Sequence, residues 1–261
     1  MKHNYKLLYF YYLRNFIFMI LLITNSCLIH AQIMNIENSR IKNDTTGWAG
    51  NIELSLQYIK NTKELLTAGS KIHVQFKTKR SLYLWLTNYN LAKSGSTSFA
   101  DAGSQHLRYN YKIKPWLTAE AFTQLQYNNS LNIKLRWLLG TGPRFKMIKT
   151  PSFALYSAVL YMYEYEDLIN PDLLNIDHRI SSYISYTLKL WDNLSMINTT
   201  YYQPKFADCS DFRLASYTDL KIKISKHFAF KFTHIYTYDS VPAATIPNST
   251  HAISNTLSYE F

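Results

Sequence analysis

The chain has 261 residues, 47% of them hydrophobic and 17% charged, with a formal net charge of +11. That length allows one sizeable domain. Lys and Arg are scattered among alternating positions with no basic helix or cluster, which argues against a nucleic-acid-binding face. No run of 18 or more apolar residues follows residue 31, so a helical membrane protein is excluded beyond that point.

At the N-terminus, Lys2, Lys6 and Arg14 surround the approach to an apolar core from Phe16 to Ile23. Cys27-Leu28-Ile29-His30-Ala31 then offers a cleavage site before Gln32. The pattern predicts a secretory signal peptide over residues 1–31 and Sec export. A lipoprotein reading at Cys27 fits poorly, because Thr24-Asn25-Ser26 matches a lipobox badly. Removing 1–31 takes away three basic groups and no acid, lowering the formal charge to +8. Cys209 is then left without an intrachain partner. Residues 32–47 read as a polar periplasmic linker and 48–261 as one domain.

From Trp48 onward, segments of period-2 alternation follow one another to the end of the chain. They predict strands near 48–59, 71–79, 82–91, 105–111, 116–126, 131–147, 152–166, 178–190, 194–203, 212–224, 228–239 and 251–261. In the first, Trp48, Ile52, Leu54, Leu56 and Tyr58 oppose Asn51, Glu53, Ser55 and Gln57. Phe212, Leu214, Leu220, Ile222 and Ile224 of the tenth oppose Arg213, Asp219, Lys221 and Lys223. Two segments depart from the rule: 82–86 interleaves Leu with Tyr and Trp, and 153–163 is apolar on both parities. Either a buried sandwich strand or a barrel with a crowded lumen accommodates them.

The connections alternate in length. Tight ones are expected at 79–81, 112–115, 148–151, 191–193 and 225–227, and longer polar ones at 60–70, 92–104, 167–177, 204–211 and 240–250. The connection at 127–130 breaks the rule by its shortness. Short periplasmic turns alternating with external loops are the transmembrane-barrel pattern, and an even strand count returns both termini to the periplasm. The last segment places Ile253, Asn255, Leu257, Tyr259 and Phe261 on one parity. Leu257, Tyr259 and Phe261 have the form of a C-terminal signal read by the barrel-assembly machinery. Because an open sheet edge cannot persist in hydrocarbon, Trp48–Ile59 is expected to pair with Ser254–Phe261. The abundance of Tyr (22) and Phe (14) suits half-buried strands and interfacial girdles. The fold class expected is therefore all-β: a single antiparallel transmembrane β-barrel of the outer-membrane type, of about twelve strands, with both termini periplasmic. Its surroundings would be outer-membrane lipid and lipopolysaccharide of a Gram-negative envelope.

The stretch from Leu107 to Lys146 is more specific. Its pieces Trp116-Leu117-Thr118-Ala119-Glu120-Ala121-Phe122-Thr123-Gln124 and Leu138-Leu139-Gly140-Thr141-Gly142-Pro143-Arg144-Phe145 resemble an uncharacterised outer-membrane β-barrel family. That family is catalogued as a domain of unknown function and sometimes labelled salt-induced outer-membrane protein. Gly47-Trp48-Ala49-Gly50 and Asp177-His178-Arg179-Ile180-Ser181-Ser182-Tyr183 fit it too, in its Bacteroidetes form. The resemblance implies location and fold; it brings no catalytic residues.

Candidate chemistry is sparse. Gly140-Thr141-Gly142-Pro143 lacks the Gly-Lys-Ser/Thr of a phosphate loop and is expected to form a bulge or kink. A lipid-facing Ser–His pair of phospholipase type needs both residues on one face, whereas His178/Ser181 and His251/Ser254 are three apart. Metal-ligand spacing is absent among the histidines, and no cofactor is expected. Glu164, Glu166, Asp167, Asp172, Asp177, Asp208, Asp211 and Asp239 read as loop acids, either solvated or holding cations that bridge lipopolysaccharide. Lys134, Arg136, Arg179, Lys189, Lys221, Lys223 and Lys231 fall on or near the polar parity of their strands and are the lumen-lining candidates. They would favour anions in an open bore, or rigidify a closed one by pairing with Glu53, Glu120 and Asp219. The function expected is structural or that of a narrow passive pore, without enzyme activity. The alternatives are a lipid-modifying enzyme, or a surface-binding barrel acting through loops 92–104 and 167–177.

Overall fold

A computed structural model describes residues 46–60, 64–95, 97–169, 173–225, 228–242 and 246–259. The expected signal, most of the expected linker, and Phe261 lie outside the described residues. Twelve antiparallel strands form one sheet in which each neighbours the next in chain order. They are β1 Gly47–Lys60, β2 Glu64–Lys77, β3 Ser81–Ser94, β4 Thr97–Lys114, β5 Leu117–Asn128 and β6 Ile133–Lys149. Then come β7 Phe153–Leu168, β8 Leu174–Lys189, β9 Leu194–Pro204, β10 Phe212–Lys223, β11 Phe228–Asp239 and β12 Ser249–Tyr259. A single turn of 3₁₀ helix, Asn129–Leu131, joins β5 to β6. This is the up-and-down meander of an outer-membrane-type β-barrel.

Which face is which follows from alternation. Successive side chains point to opposite sides of a strand, and here the buried set is rich in polar and charged residues while the exposed set includes many large apolar ones. Arg136 and Arg179 are 2% exposed, whereas Leu54 and Leu56 are 78% exposed. A soluble sandwich buries its leucines and wets its arginines; a barrel in lipid does the reverse. Tyr83, Trp85, Leu107, Val159 and Ile184 continue the outer apolar face around the wall.

The sheet is strongly curled. Strands stand about 4.8 Å apart, so β7 and β10 would be about 14 Å apart in a flat sheet. Yet Arg213 on β10 pairs with Glu164 on β7, and Tyr183 on β8 donates to Glu120 on β5 at 3.0 Å. Only a concave face brings such partners together. The seam expected between Trp48–Ile59 and Ser254–Phe261 reaches residues beyond those described. Among the described residues β1 is laddered to β2 and β12 to β11, with Leu257 opposite Phe230 and Tyr259 opposite Phe228.

Two expected loops are strand. The β1–β2 ladder continues without a break from Gly47/Lys77 to Lys60/Glu64, taking in most of 60–70. β4 starts at Thr97 and runs for 18 residues, so most of 92–104 is ladder, with a register shift between Ala92 and Lys93. Likewise β8 begins at Leu174. These extensions carry small and polar residues such as Ala68, Gly69, Ala102 and Gly103. Backbone pairing needs no hydropathy alternation once a strand leaves the apolar band, so the pattern fades before the strand does.

The expected bulge at Gly140–Pro143 is also corrected. The β5–β6 register is unbroken from Leu117/Phe145 to Gln126/Arg136, and the shifts in β6 fall instead at Ile133/Leu135 and Lys146/Ile148. The two glycines provide clearance. A Cβ on Gly140 would meet Phe122 Cε1 at 2.3 Å, and one on Gly142 would meet the Val159 carbonyl oxygen at 2.3 Å.

Candidate functional site

The enclosed face holds three tiers of side chains. The tier nearest the longer connections is an ion-pair lattice. Arg136 (β6) reaches Glu164 (β7) at 3.1 Å and also pairs with Glu166. Arg179 (β8) lies 2.7 Å from Glu164 and 2.9 Å from Asp211. Arg213 (β10) pairs with Glu164, with Glu166 at 3.3 Å and with Asp239 (β11) at 3.0 Å. The sequence places these residues on lumen parity, and the curl of the sheet makes them converge. Low dielectric makes such pairs strong only because each charge is met by several partners.

Lys205 extends the lattice into the β9–β10 connection, 3.0 Å from both Asp177 and Asp211. Burial alone would raise the Asp211 pKa, but the hydrogen bond from Lys205 and the Arg179 guanidinium outweigh it and hold the carboxyl below its ordinary value. Burial likewise disfavours the Lys205 ammonium, and its bonds to Asp177 and Asp211 reverse that. A depressed carboxyl pKa contributes stability above about pH 4 that is lost as pH falls through the lowered value. Amide protection factors over 205–211, taken relative to the intrinsic exchange rate at each pH, should therefore fall below about pH 4 and stay flat between about pH 5 and about pH 8.

The middle tier is part polar and part apolar. Glu120 accepts from Arg108 at 2.9 Å, Asn110 at 2.9 Å and Tyr183 at 3.0 Å. Arg144 donates to Tyr183 at 3.1 Å and lies over the Tyr156 ring at 3.9 Å. His106 Nδ1 and Gln124 Oε1 are 2.9 Å apart. Against these pack Phe122, Leu138, Leu160, Met162, Tyr201 and Tyr217, all buried. The 153–163 segment, apolar on both parities, thus faces lipid on one side and a filled lumen on the other.

The third tier, at the tight-turn end, is basic. Lys221 and Lys231 stand directly opposite each other on β10 and β11. They share parity with the buried Tyr217 and Ala229. Lys223, Lys189, Lys112 and Lys77 occupy the same parity of their strands near this end. Asp219, one step inward, accepts from Thr233 at 2.7 Å.

The seven lumen candidates therefore separate. Arg136 and Arg179 join the lattice, and Lys221, Lys223 and Lys231 the basic tier. Lys189 is half-exposed beside Asp192 at 3.2 Å. Lys134 leaves the lumen parity because the register shifts between Ile133 and Leu135. It stands exposed, 3.1 Å from Asp167. Glu164, Glu166 and Asp239 are corrected from solvated loop acids to buried strand residues paired with arginine; Asp172 lies outside the described residues. Three inward arginines are absent from the lumen candidates: Arg213 of the lattice, which alternation does place on the polar parity, and Arg108 and Arg144 of the middle tier. His178 faces outward against Tyr161 while Ser181 is buried and bonded to Gln203. His251 and Ser254 also lie on opposite parities of β12, so neither pair assembles a Ser–His couple.

Among curated proteins no sequence matches this chain. Solved structures similar to it include the NanC porin, at 10% identity and a TM-score of 0.49, covering 80% of this chain and 100% of that one. The KdgM porin follows at 10% identity and a TM-score of 0.42, covering 79% and 98%. A bacterial polysaccharide outer membrane secretin is 11% identical with a TM-score of 0.44, covering 82% and 86%. Residues 38–261 match the family model described as "Protein of unknown function, DUF481", and by that match over most of its length the chain belongs to the DUF481 family.

Proposed function

We propose that this protein is a non-enzymatic outer-membrane barrel whose role is structural, with a narrow passive lumen that favours anions. The observation that carries the reading is the filling of the wall from β5 to β11 by buried ion pairs and rings. A lattice of that kind ties distant strands together and leaves little bore, as expected of a barrel intermediate between side-chain-filled and water-filled sizes. The lysines at the tight-turn end set the sign of any permeant ion. In this reading both termini are periplasmic, lipid and lipopolysaccharide cover the outer face, and the last strand is read by the barrel-assembly machinery.

Planar-bilayer recording of the refolded protein tests it. Conductance should be small, and the reversal potential in a salt gradient should take the sign of anion preference. The Lys221→Gln/Lys223→Gln/Lys231→Gln variant should move that potential toward zero. A cation-preferring reversal in the wild type would overturn the anion reading.

A further inference from the structure

The outer face carries one feature that a passive barrel does not need. On β9 to β12 two adjacent outward rows are polar. One row runs Thr200, Ser216, Tyr236 and His251. The next runs Asn198, Thr218 and His234, ending on Ile253. They form a bonded cluster. Asn198 Nδ2 donates to Ser216 at 3.1 Å and to Thr218 at 2.9 Å. Thr200 donates to Asn198 Oδ1 at 3.2 Å and lies 3.1 Å from Ser216. His234 Nε2 and His251 Nδ1 are 3.4 Å apart, with the rings stacked.

The height of the patch rules out an interfacial girdle. The row toward the longer connections is Tyr202, Leu214 and Tyr238, and the Phe212 ring just beyond it has its centroid 5.5 Å from that of Tyr202 and 5.6 Å from that of Tyr238. Toward the tight turns come Leu188, Met196, Leu220 and Phe232 in one row. The polar rows lie between two apolar ones, where hydrocarbon is the surrounding medium. Two outward threonines elsewhere on the barrel, Thr123 and Thr141, are instead bonded to their own wall. Thr141 donates to the Glu120 carbonyl at 3.0 Å, and Thr123 accepts from Trp137 at 2.9 Å.

We propose that this patch is the contact face for a second copy of the same chain. A polar group in hydrocarbon is unfavourable unless bonded, and polar side chains of this type join membrane-spanning segments. Bonding within the patch is incomplete: among the described residues the Thr218 hydroxyl accepts from Asn198 but finds no acceptor for its own hydrogen. One ring nitrogen each of His234 and His251 also points away from their shared contact. Amide, hydroxyl and imidazole groups both donate and accept, so the patch is complementary to itself. It contains no carboxylate, ammonium or guanidinium, so two copies meet without like-charge repulsion. About a two-fold axis each new bond is made twice. Flanking apolar rows would seal the contact from lipid above and below.

The proposal rests on the membrane reading above, and the experiment separates the two. The full-length protein is assembled into lipid bilayers, insertion is checked by protease protection, and subunit stoichiometry is read by single-molecule photobleaching. The wild type should be dimeric. Asn198→Leu/Ser216→Val/Thr218→Val should insert as well or better, with a dimer dissociation constant raised about tenfold or more. With both native cysteines replaced by serine, Ser216→Cys should cross-link copies, while Leu107→Cys, on the far wall, should not. An inserted wild-type monomer, or equal cross-linking at both positions, overturns the interface. Failure of the wild type to insert at all counts instead against the membrane reading.

Discussion

Replacing Glu164 by Gln should cost the barrel about 3 kcal/mol or more of stability, the range found when one partner of a buried ion pair is removed. Glu164 is 1% exposed and is met by Arg136, Arg179 and Arg213 from three other strands. Neutralising it leaves those guanidiniums facing one another, and Glu166, Asp211 and Asp239 cannot each move to the centre. The measurement is urea unfolding in lipid vesicles, followed by tryptophan fluorescence. A companion change distinguishes electrostatics from packing: Arg213→Met in the Glu164→Gln background removes one excess charge and should recover part of the loss. An unchanged midpoint for Glu164→Gln would show that water reaches the lattice freely, and the filled-lumen reading would fall with it.

The second large effect is expected at Gly142. Alanine there would bring a Cβ to 2.3 Å from the Val159 carbonyl oxygen and 2.7 Å from Leu160 Cα. Both are backbone atoms of β7, so relief requires parting β6 from its neighbour. Overpacking of this sort costs about 1–3 kcal/mol, more where the backbone cannot yield. Gly140→Ala is the informative contrast. Its nearest contacts are all atoms of the Phe122 ring, the closest at 2.3 Å. Phe122→Leu should therefore rescue Gly140→Ala, and no trimming of a side chain should rescue Gly142→Ala. Thermal unfolding of Gly140→Ala and Gly142→Ala, each alone and each combined with Phe122→Leu, checks this. Equal rescue at both sites would mean that the strand spacing relaxes, contrary to the close approach described.

Period-2 alternation made the strands of this protein legible, because lipid on one side and a polar lumen on the other impose opposite demands on adjacent residues. Phe228, Phe230 and Phe232 against Lys231 and Thr233 leave one reading of β11. The rule holds only where both environments are present. At Ala68-Gly69-Ser70 and Ala102-Gly103 it lapses, and strand there looks like loop. It lapses also at a register shift, which is why alternation places Lys134 on the wrong face.

Which side chains of non-neighbouring strands meet inside was decided by curvature. Nothing in the spacing of Glu164 and Arg213 along the chain, or of Glu120 and Tyr183, announces a contact, because these partners sit on strands that are not neighbours in the sheet. Closing distance between them depends on how sharply the wall bends, a property of the whole sheet. The same holds for the outward cluster of Asn198, Thr200, Ser216 and Thr218. Each is an unremarkable polar residue in its own strand, and only the interstrand register sets them side by side.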